Sequence, residues 1–408
     1  MAEMMRKMMK RTRRALLLCL CLTLLAGAAL ANEVLDYCTD GYDGIGYEMT
    51  LPDGRLIFSG CYGKPGKYMD QKARLLCLNP DMTVCWEYID PAEGSCGFGN
   101  VNLMKDGTLC VLFDDSPYQT TKELKLVFFT TDGQPTGKEI PLQYNERGYV
   151  NYRILKSGLL TVWWDDTESY IGLTDWDGNT LFRWQEDEMI QFENVIEEED
   201  GLVMIGREPG MLVNAAGKIM KADYQGNVIW ETVVPFLREQ NEGVTMSGIR
   251  TDDGCYMVKL LERGPGSGYP GAEWTMALVK FSSRGRILWI NTEIQESLPK
   301  DCGFSDVMEY NGKYVVQYED INRFASIGYP IGYLWFDADG NVLGTTEMSL
   351  RKEDFSRLAK KRNVEAIIGE FVPAENGLWQ MVVCWDESSS HEKEMATQDD
   401  LLVRIPEL

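Results

Sequence analysis

The chain has 408 residues, 44% of them hydrophobic, with 11 cysteines, a single histidine and a net charge of −23. That is enough apolar sequence for a large core, as one big all-β domain or as two or three ordinary ones. A chain this acidic repels nucleic acid and anionic lipid surfaces, and one histidine cannot make a histidine-rich zinc site.

The first 31 residues differ in kind from the rest. Met1–Arg14 carries six basic residues against one acid, Glu3; "ALLLCLCLTLLAGA" follows, and Ala29-Leu30-Ala31 is a small-x-small site. A basic head, a short apolar middle and an AxA end predict a secretory signal cleaved after Ala31. The other reading is a retained anchor, but the apolar run is short for a bilayer span. Losing that segment takes 40 basic against 63 acidic residues to 34 against 62, a net charge of −28. The expectation is a soluble, extracytoplasmic monomer with no membrane insertion after cleavage. Nine cysteines remain, an odd number, and none lies in a CxxC, so neither a zinc ribbon nor a thioredoxin-type motif is supported. Cys77 and Cys85 flank one predicted hairpin and are candidates for a disulfide.

From Asn32 to Leu408 two phrases alternate. The first is a polar-Gly turn followed by apolar and β-branched residues: Asp53-Gly54 "RLIFSG", Asp106-Gly107 "TLCVLF", Ser157-Gly158 "LLTVWW", Asp200-Gly201 "LVMIG", Asp253-Gly254 "CYMVKL", Asn311-Gly312 "KYVVQY" and Asn376-Gly377 "LWQMVV". The second is strand, polar turn, strand: "ARLLCLNPDMTVCW", "LKLVFFTTDGQPTG", "SYIGLTDWDGNTLFRW", "KIMKADYQGNVIW", "MALVKFSSRGRILW" and "GYLWFDADGNVLG". Asp-Gly and Asn-Gly between apolar runs are strong hairpin signals, because tight turns need positive φ. With one strand before each first phrase, a repeat holds four short antiparallel strands. Seven such repeats of 40 to 65 residues predict an all-β, single seven-bladed β-propeller spanning residues 32–408. The seventh repeat, "DDLLVRIPEL", lacks its last strand, and Glu33–Cys38 is surplus. The two are expected to pair and close the ring. Arg351–Asn363 is the one predicted helix.

Asp223, Gly226 and Trp230 fall in the order Asp…Gly…Trp, and Trp289 repeats the spacing from its turn glycine. This resembles the quinoprotein-like (PQQ-like) and WD40-type propeller repeats over nearly the whole chain. The resemblance implies that Trp86, Trp184, Trp230 and Trp289 dock each blade onto its neighbour, largely buried and in equivalent places. It does not carry dehydrogenase activity across. Those members hold a vicinal disulfide and a calcium-quinone constellation, and no Cys-Cys pair occurs here.

No catalytic, cofactor or metal residues are assigned, and no cofactor is expected. His391 lies in polar "SSSHEKE" without a nucleophile elbow. The calcium-loop fragments at Asp175–Asn179 and Asp337–Asn341 sit where hairpin turns are already required. "GPGSGYPG" lacks the Lys-Ser/Thr of a phosphate loop. The second and fourth connections of each blade are long and share one face. They carry Tyr62, Tyr68, Tyr118, Tyr269, Trp274, Phe324 and Tyr329, the candidate partner-binding residues. Two functions follow: a secreted, non-catalytic scaffold binding a protein or glycan through that face, or a carbohydrate-active hydrolase or lyase using carboxylates near the central channel.

Overall fold

The computed structural model describes residues 33–408 apart from 38–41, 64–70, 92–95, 116–122, 145–148, 165–168, 186–189, 209–214, 236, 238–240, 265–273, 299–301, 321–329, 351–363 and 387–397. The predicted helix at Arg351–Asn363 falls outside the described residues.

Each hairpin is seeded by its turn. In the stretch Lys221–Thr232 the Gly226 N–H donates to Asp223 O (3.0 Å) and the Asp223 N–H to Asn227 O (2.9 Å). This three-residue turn requires a left-handed residue at its end, and Gly226 has φ 81°. The Asp223 side chain accepts the Gln225 and Asn227 N–H groups, which fixes the turn before any tertiary contact forms. Asp175 and Asp337 do the same for Asn179 and Asn341. Their oxygens are engaged by their own turns, in keeping with a turn rather than a calcium loop.

The strands pair into seven four-stranded antiparallel sheets. The terminal strand β1 is Val34–Asp36. Blade 1 is β2 (Tyr42–Thr50), β3 (Leu56–Gly63), β4 (Gln71–Leu78) and β5 (Val84–Ile89); blade 2 is β6 (Cys96–Leu103), β7 (Thr108–Asp115), β8 (Leu124–Thr130) and β9 (Pro135–Pro141). Blade 3 is β10 (Tyr149–Ile154), β11 (Gly158–Trp164), β12 (Ser169–Asp175) and β13 (Thr180–Gln185); blade 4 is β14 (Gln191–Glu198), β15 (Gly201–Arg207), β16 (Gly217–Ala222) and β17 (Val228–Val233). Blade 5 is β18 (Gly243–Arg250), β19 (Tyr256–Arg263), β20 (Trp274–Phe281) and β21 (Ile287–Asn291); blade 6 is β22 (Cys302–Tyr310), β23 (Lys313–Asp320), β24 (Pro330–Phe336) and β25 (Val342–Ser349). Blade 7 is β26 (Val364–Ala374), β27 (Gly377–Asp386), β28 (Gln398–Arg404) and, as its outermost strand, β1. The chain is a seven-bladed β-propeller.

Ring closure is as expected from the surplus strand. Val34 pairs with Val403, Leu35 with Leu402 and Asp36 with Leu401. The Arg404 N–H donates to Glu33 O (3.0 Å) and its guanidinium meets the Glu33 carboxylate at 3.2 Å.

The core is not one mass but a set of clusters, one at each blade junction. Among the described residues, six of them hold 10 to 13 buried apolar residues. Among the described residues, the cluster between blades 2 and 3 holds four: Cys110, Leu126, Phe128 and Ile154.

The tryptophans show why the Asp…Gly…Trp phrase recurs, with two corrections. A Cβ at Gly133 would lie 2.6 Å from the Trp86 ring, one at Gly285 2.2 Å from Trp230, and one at Gly340 2.9 Å from Trp289. Each indole of one blade therefore lies flat on the turn glycine of the next. Only glycine leaves room for it. The first correction is one of degree: the four residues are mostly but not fully buried, because they sit on the outer strands at the rim. The second concerns Trp184, which is two residues beyond the equivalent place. Phe182 occupies it, 2.6 Å from a Cβ at Gly226, and Trp184 stacks on Phe182 at 4.4 Å. Blade 7 uses Tyr37, whose hydroxyl donates to Met82 O in the blade 1 turn. Blade 6 has Gly344 there, covered by Leu408.

Cys77 and Cys85 are both thiols. Cys77 pairs with Trp86 and Leu78 with Val84, so Cys85 is the extra residue of a bulge and not directly across the hairpin. Burial, then the neighbouring Cys85, pushes the Cys77 thiol up to about 12.

Candidate site at the central channel and long-loop face

The seven innermost strands, β2, β6, β10, β14, β18, β22 and β26, surround the channel. Their inner edges carry backbone N–H groups with no fifth strand to pair with. Five of them bulge: β2 at Glu48, β6 at Asn100, β14 at Glu193, β22 between Phe304 and Val307, and β26 at Gly369-Glu370. A bulge adds one residue and re-aims its side chain. At Glu48, Asn100 and Glu193 that side chain turns toward the next blade.

Glu48 Oε1 accepts the Asn100 N–H (3.1 Å) and the Ser59 hydroxyl (2.5 Å), and its Oε2 accepts the Val101 N–H (3.0 Å). Asn100, itself at φ 50°, passes the link on: its Oδ1 accepts the Ile154 N–H (2.9 Å) and its Nδ2 donates to Tyr152 O (3.2 Å). Glu193 accepts the Met246 N–H of blade 5 (3.1 Å). A Cβ at Gly46 would lie 4.0 Å from the Glu370 carboxylate, which places Glu370 of blade 7 beside blade 1.

Burial raises the Glu48 carboxyl above its ordinary range, and the bonds from Ser59, Val101 and Asn100 pull it back. Glu193 reaches solvent as a residue, but its carboxyl lies low among its neighbours. Desolvation raises it, against the Met246 N–H and the charges of Arg207 and Lys259. Arg153, exposed on β10, faces Glu48 electrostatically. Acid chemistry needs a carboxyl free to reach a reacting atom. Glu48 spends both oxygens on the protein's own backbone.

The long-loop face is described in part. Tyr62 is half-buried on β3, opposite Asp43 and Lys72. Trp274 opens β20 opposite Arg263. Tyr68, Tyr118, Tyr269, Phe324, Tyr329 and His391 lie outside the described residues. At this end of blade 3 is a stack the sequence reading missed. Trp163 lies 6.3 Å from Tyr170 with nearly parallel rings, and the Arg183 guanidinium sits 3.6 Å over Tyr170. Trp163 and Tyr170 are directly opposite across a hairpin, a pairing legible only once the register is known. Among the described residues no group of three or more His, Cys, Asp or Glu is placed to hold a metal.

Comparison with known proteins adds little beyond architecture. No family model matches the chain, and no curated protein matches it. Solved structures that align with it include a subtype N11 neuraminidase-like protein of A/flat-faced bat/Peru, at 8% identity and TM-score 0.43, covering 90% of this chain and 95% of that one. The plexin A4 extracellular region aligns at 8% identity and TM-score 0.44, covering 89% of this chain and 46% of that one. A protein from Lactobacillus plantarum aligns at 14% identity and TM-score 0.39, covering 87% and 99%. Likeness at this level says nothing about activity. The fold assignment rests on the strand pairing itself.

Proposed function

We propose that this chain is a secreted, monomeric propeller that binds a protein or glycan partner through the face bearing its long connections, without chemically transforming it. The observation that carries this reading is the state of the channel carboxylate Glu48. Its oxygens accept two backbone N–H groups and a hydroxyl from neighbouring strands, so its role is to tie blade 1 to blade 2. Secretion is supported by the basic head, apolar run and Ala29-Leu30-Ala31 site. Kinship with PQQ-like or WD40-type repeats is supported by the Asp223…Gly226…Trp230 phrase, and by the indole-on-glycine contact that the phrase produces.

The test is a glycan-array and partner-capture screen run beside a reducing-sugar release assay on the same polysaccharides. Saturable binding without sugar release is expected, weakened by Tyr62→Ala. Release of reducing ends that is abolished by Glu370→Gln or Glu193→Gln would replace this reading with a carbohydrate-active enzyme. Mass spectrometry of the secreted protein should find Asn32 at the amino terminus.

A further inference from the structure

Among the described residues, an apolar cluster fills the space between blades 6 and 7, and a small polar group lies with it. Tyr333 on β24 is fully buried, as is Gln380 on β27. Their register places them in one interface. Tyr333 packs against Phe371 with ring centroids 6.3 Å apart. Phe371 is directly opposite Gln380 in the β26–β27 pair, so both point to the same side of blade 7. Gln317, also fully buried, is directly opposite Tyr333 in blade 6.

The atoms of this group without a hydrogen-bond partner include the Tyr333 hydroxyl and Gln380 Oε1. The Gln380 amide cannot be turned round to cure this. Its Nε2 donates to Gly369 O, and the reverse orientation would set two acceptors against each other. Gly369 belongs to the bulge of β26, the innermost strand of blade 7. A buried phenol and a buried amide oxygen left without partners would each be costly.

We propose that blades 6 and 7 enclose an ordered water molecule held by the Tyr333 hydroxyl and Gln380 Oε1. The chemistry is complementary: one water accepts from the phenol and donates to the amide oxygen. Entry is past the Gly369–Glu370 bulge. This joint is then hydrated at its centre.

The deciding measurement is a high-resolution crystal structure of the secreted protein. It should show a water within about 2.7–3.2 Å of both atoms. A site without water, or a Tyr333 hydroxyl bonded directly to Gln380 or another protein atom, overturns the proposal. A solution measurement stands beside it. Tyr333→Phe keeps the ring and removes only the hydroxyl, so it is expected to lower Tm, because the water loses one of its two anchors. An unchanged or raised Tm would mark the hydroxyl as an orphan rather than a water ligand, and would equally overturn it.

Discussion

The joint between blades 4 and 5 and the joint between blades 2 and 3 are built from the same repeat and packed very differently. At the first, Trp230 lies on Gly285, and the Thr232 hydroxyl donates to Gly285 O (2.7 Å). Below them Lys221 meets Glu198 at 2.6 Å and Asp200 at 2.5 Å, and the Tyr256 hydroxyl of blade 5 donates to the same Glu198 (2.8 Å). Twelve buried apolar residues fill the space between. At the second joint the indole position is Gly137, left-handed at φ 78°, and nothing lies within 4 Å of a Cβ at either Gly137 or Gly178. The strand β9 is out of register by a further residue, which carries Lys138 over the Phe128 ring at 4.1 Å. Trp176 reaches back from blade 3 to the edge of Phe128 at 6.5 Å. A cation and a borrowed tryptophan stand there where Trp86, Trp230 and Trp289 stand after blades 1, 4 and 5. The difference teaches that the wedge, not the hairpin, sets how firmly adjacent blades hold.

The largest test of this comparison removes a joint altogether. Deleting residues 32–40 strips β1 from blade 7 and Tyr37 from its turn, and is expected to lower Tm sharply although it touches no candidate binding residue. Melting like the protein without this deletion would refute the closure.

Next comes Trp230→Ala. An indole that is not fully buried places the cost near the low end for large aromatic truncations, about 3 kcal/mol. Lys138→Ala at the weak joint should cost only about 0.5–1 kcal/mol, the worth of an exposed cation–π contact. Chemical denaturation of the two variants would measure the contrast directly, and equal losses would erase it.

The glycines sharpen the same point. Gly178→Ala meets open space and should cost about 1 kcal/mol for its left-handed φ alone. Gly285→Ala adds a methyl 2.2 Å from Trp230 and should cost about 3 kcal/mol, with a shift in tryptophan fluorescence that Gly178→Ala lacks.

The smallest expected effect is on pH dependence, and the two kinds of acid act oppositely. The Lys221 ammonium holds the Asp200 carboxyl below its ordinary range. Its stabilisation is therefore present above the unfolded-state value and lost as pH falls through the depressed one. Asp200→Asn should flatten the acid limb of the stability curve. Glu48 is shifted upward by burial, so its contribution is present at low pH and lost as pH rises through the raised value. Glu48→Gln should flatten that limb instead. Identical curves for the two variants would contradict the opposite signs.

Much of the architecture was legible because turn chemistry is local. Asp223-Tyr224-Gln225-Gly226-Asn227 specifies its own hairpin, and seven repeats of such signals leave few folds open. The surplus segment at Glu33–Cys38 was legible by counting strands. The channel was not. Glu48, Asn100 and Glu193 matter because bulges turn them, and a bulge is a property of pairing that neither strand shows alone. Trp184 was misplaced for a related reason: Phe182 and Trp184 share a face, and only contact with Gly226 tells which fills the slot. The long-loop aromatics remained a compositional argument, since little of a loop's position is written in local sequence.

The terminal clasp has a mechanical consequence. Glu33 and Arg404 meet although they lie 371 positions apart in sequence, and β1 runs antiparallel to β28 with Val34 beside Val403. A force applied at the two ends of the folded chain therefore acts on the same end of this strand pair. It peels the pairs apart one after another instead of loading all three at once in shear. The ring should open at low force, at blade 7, while the hairpins of the other six blades still hold.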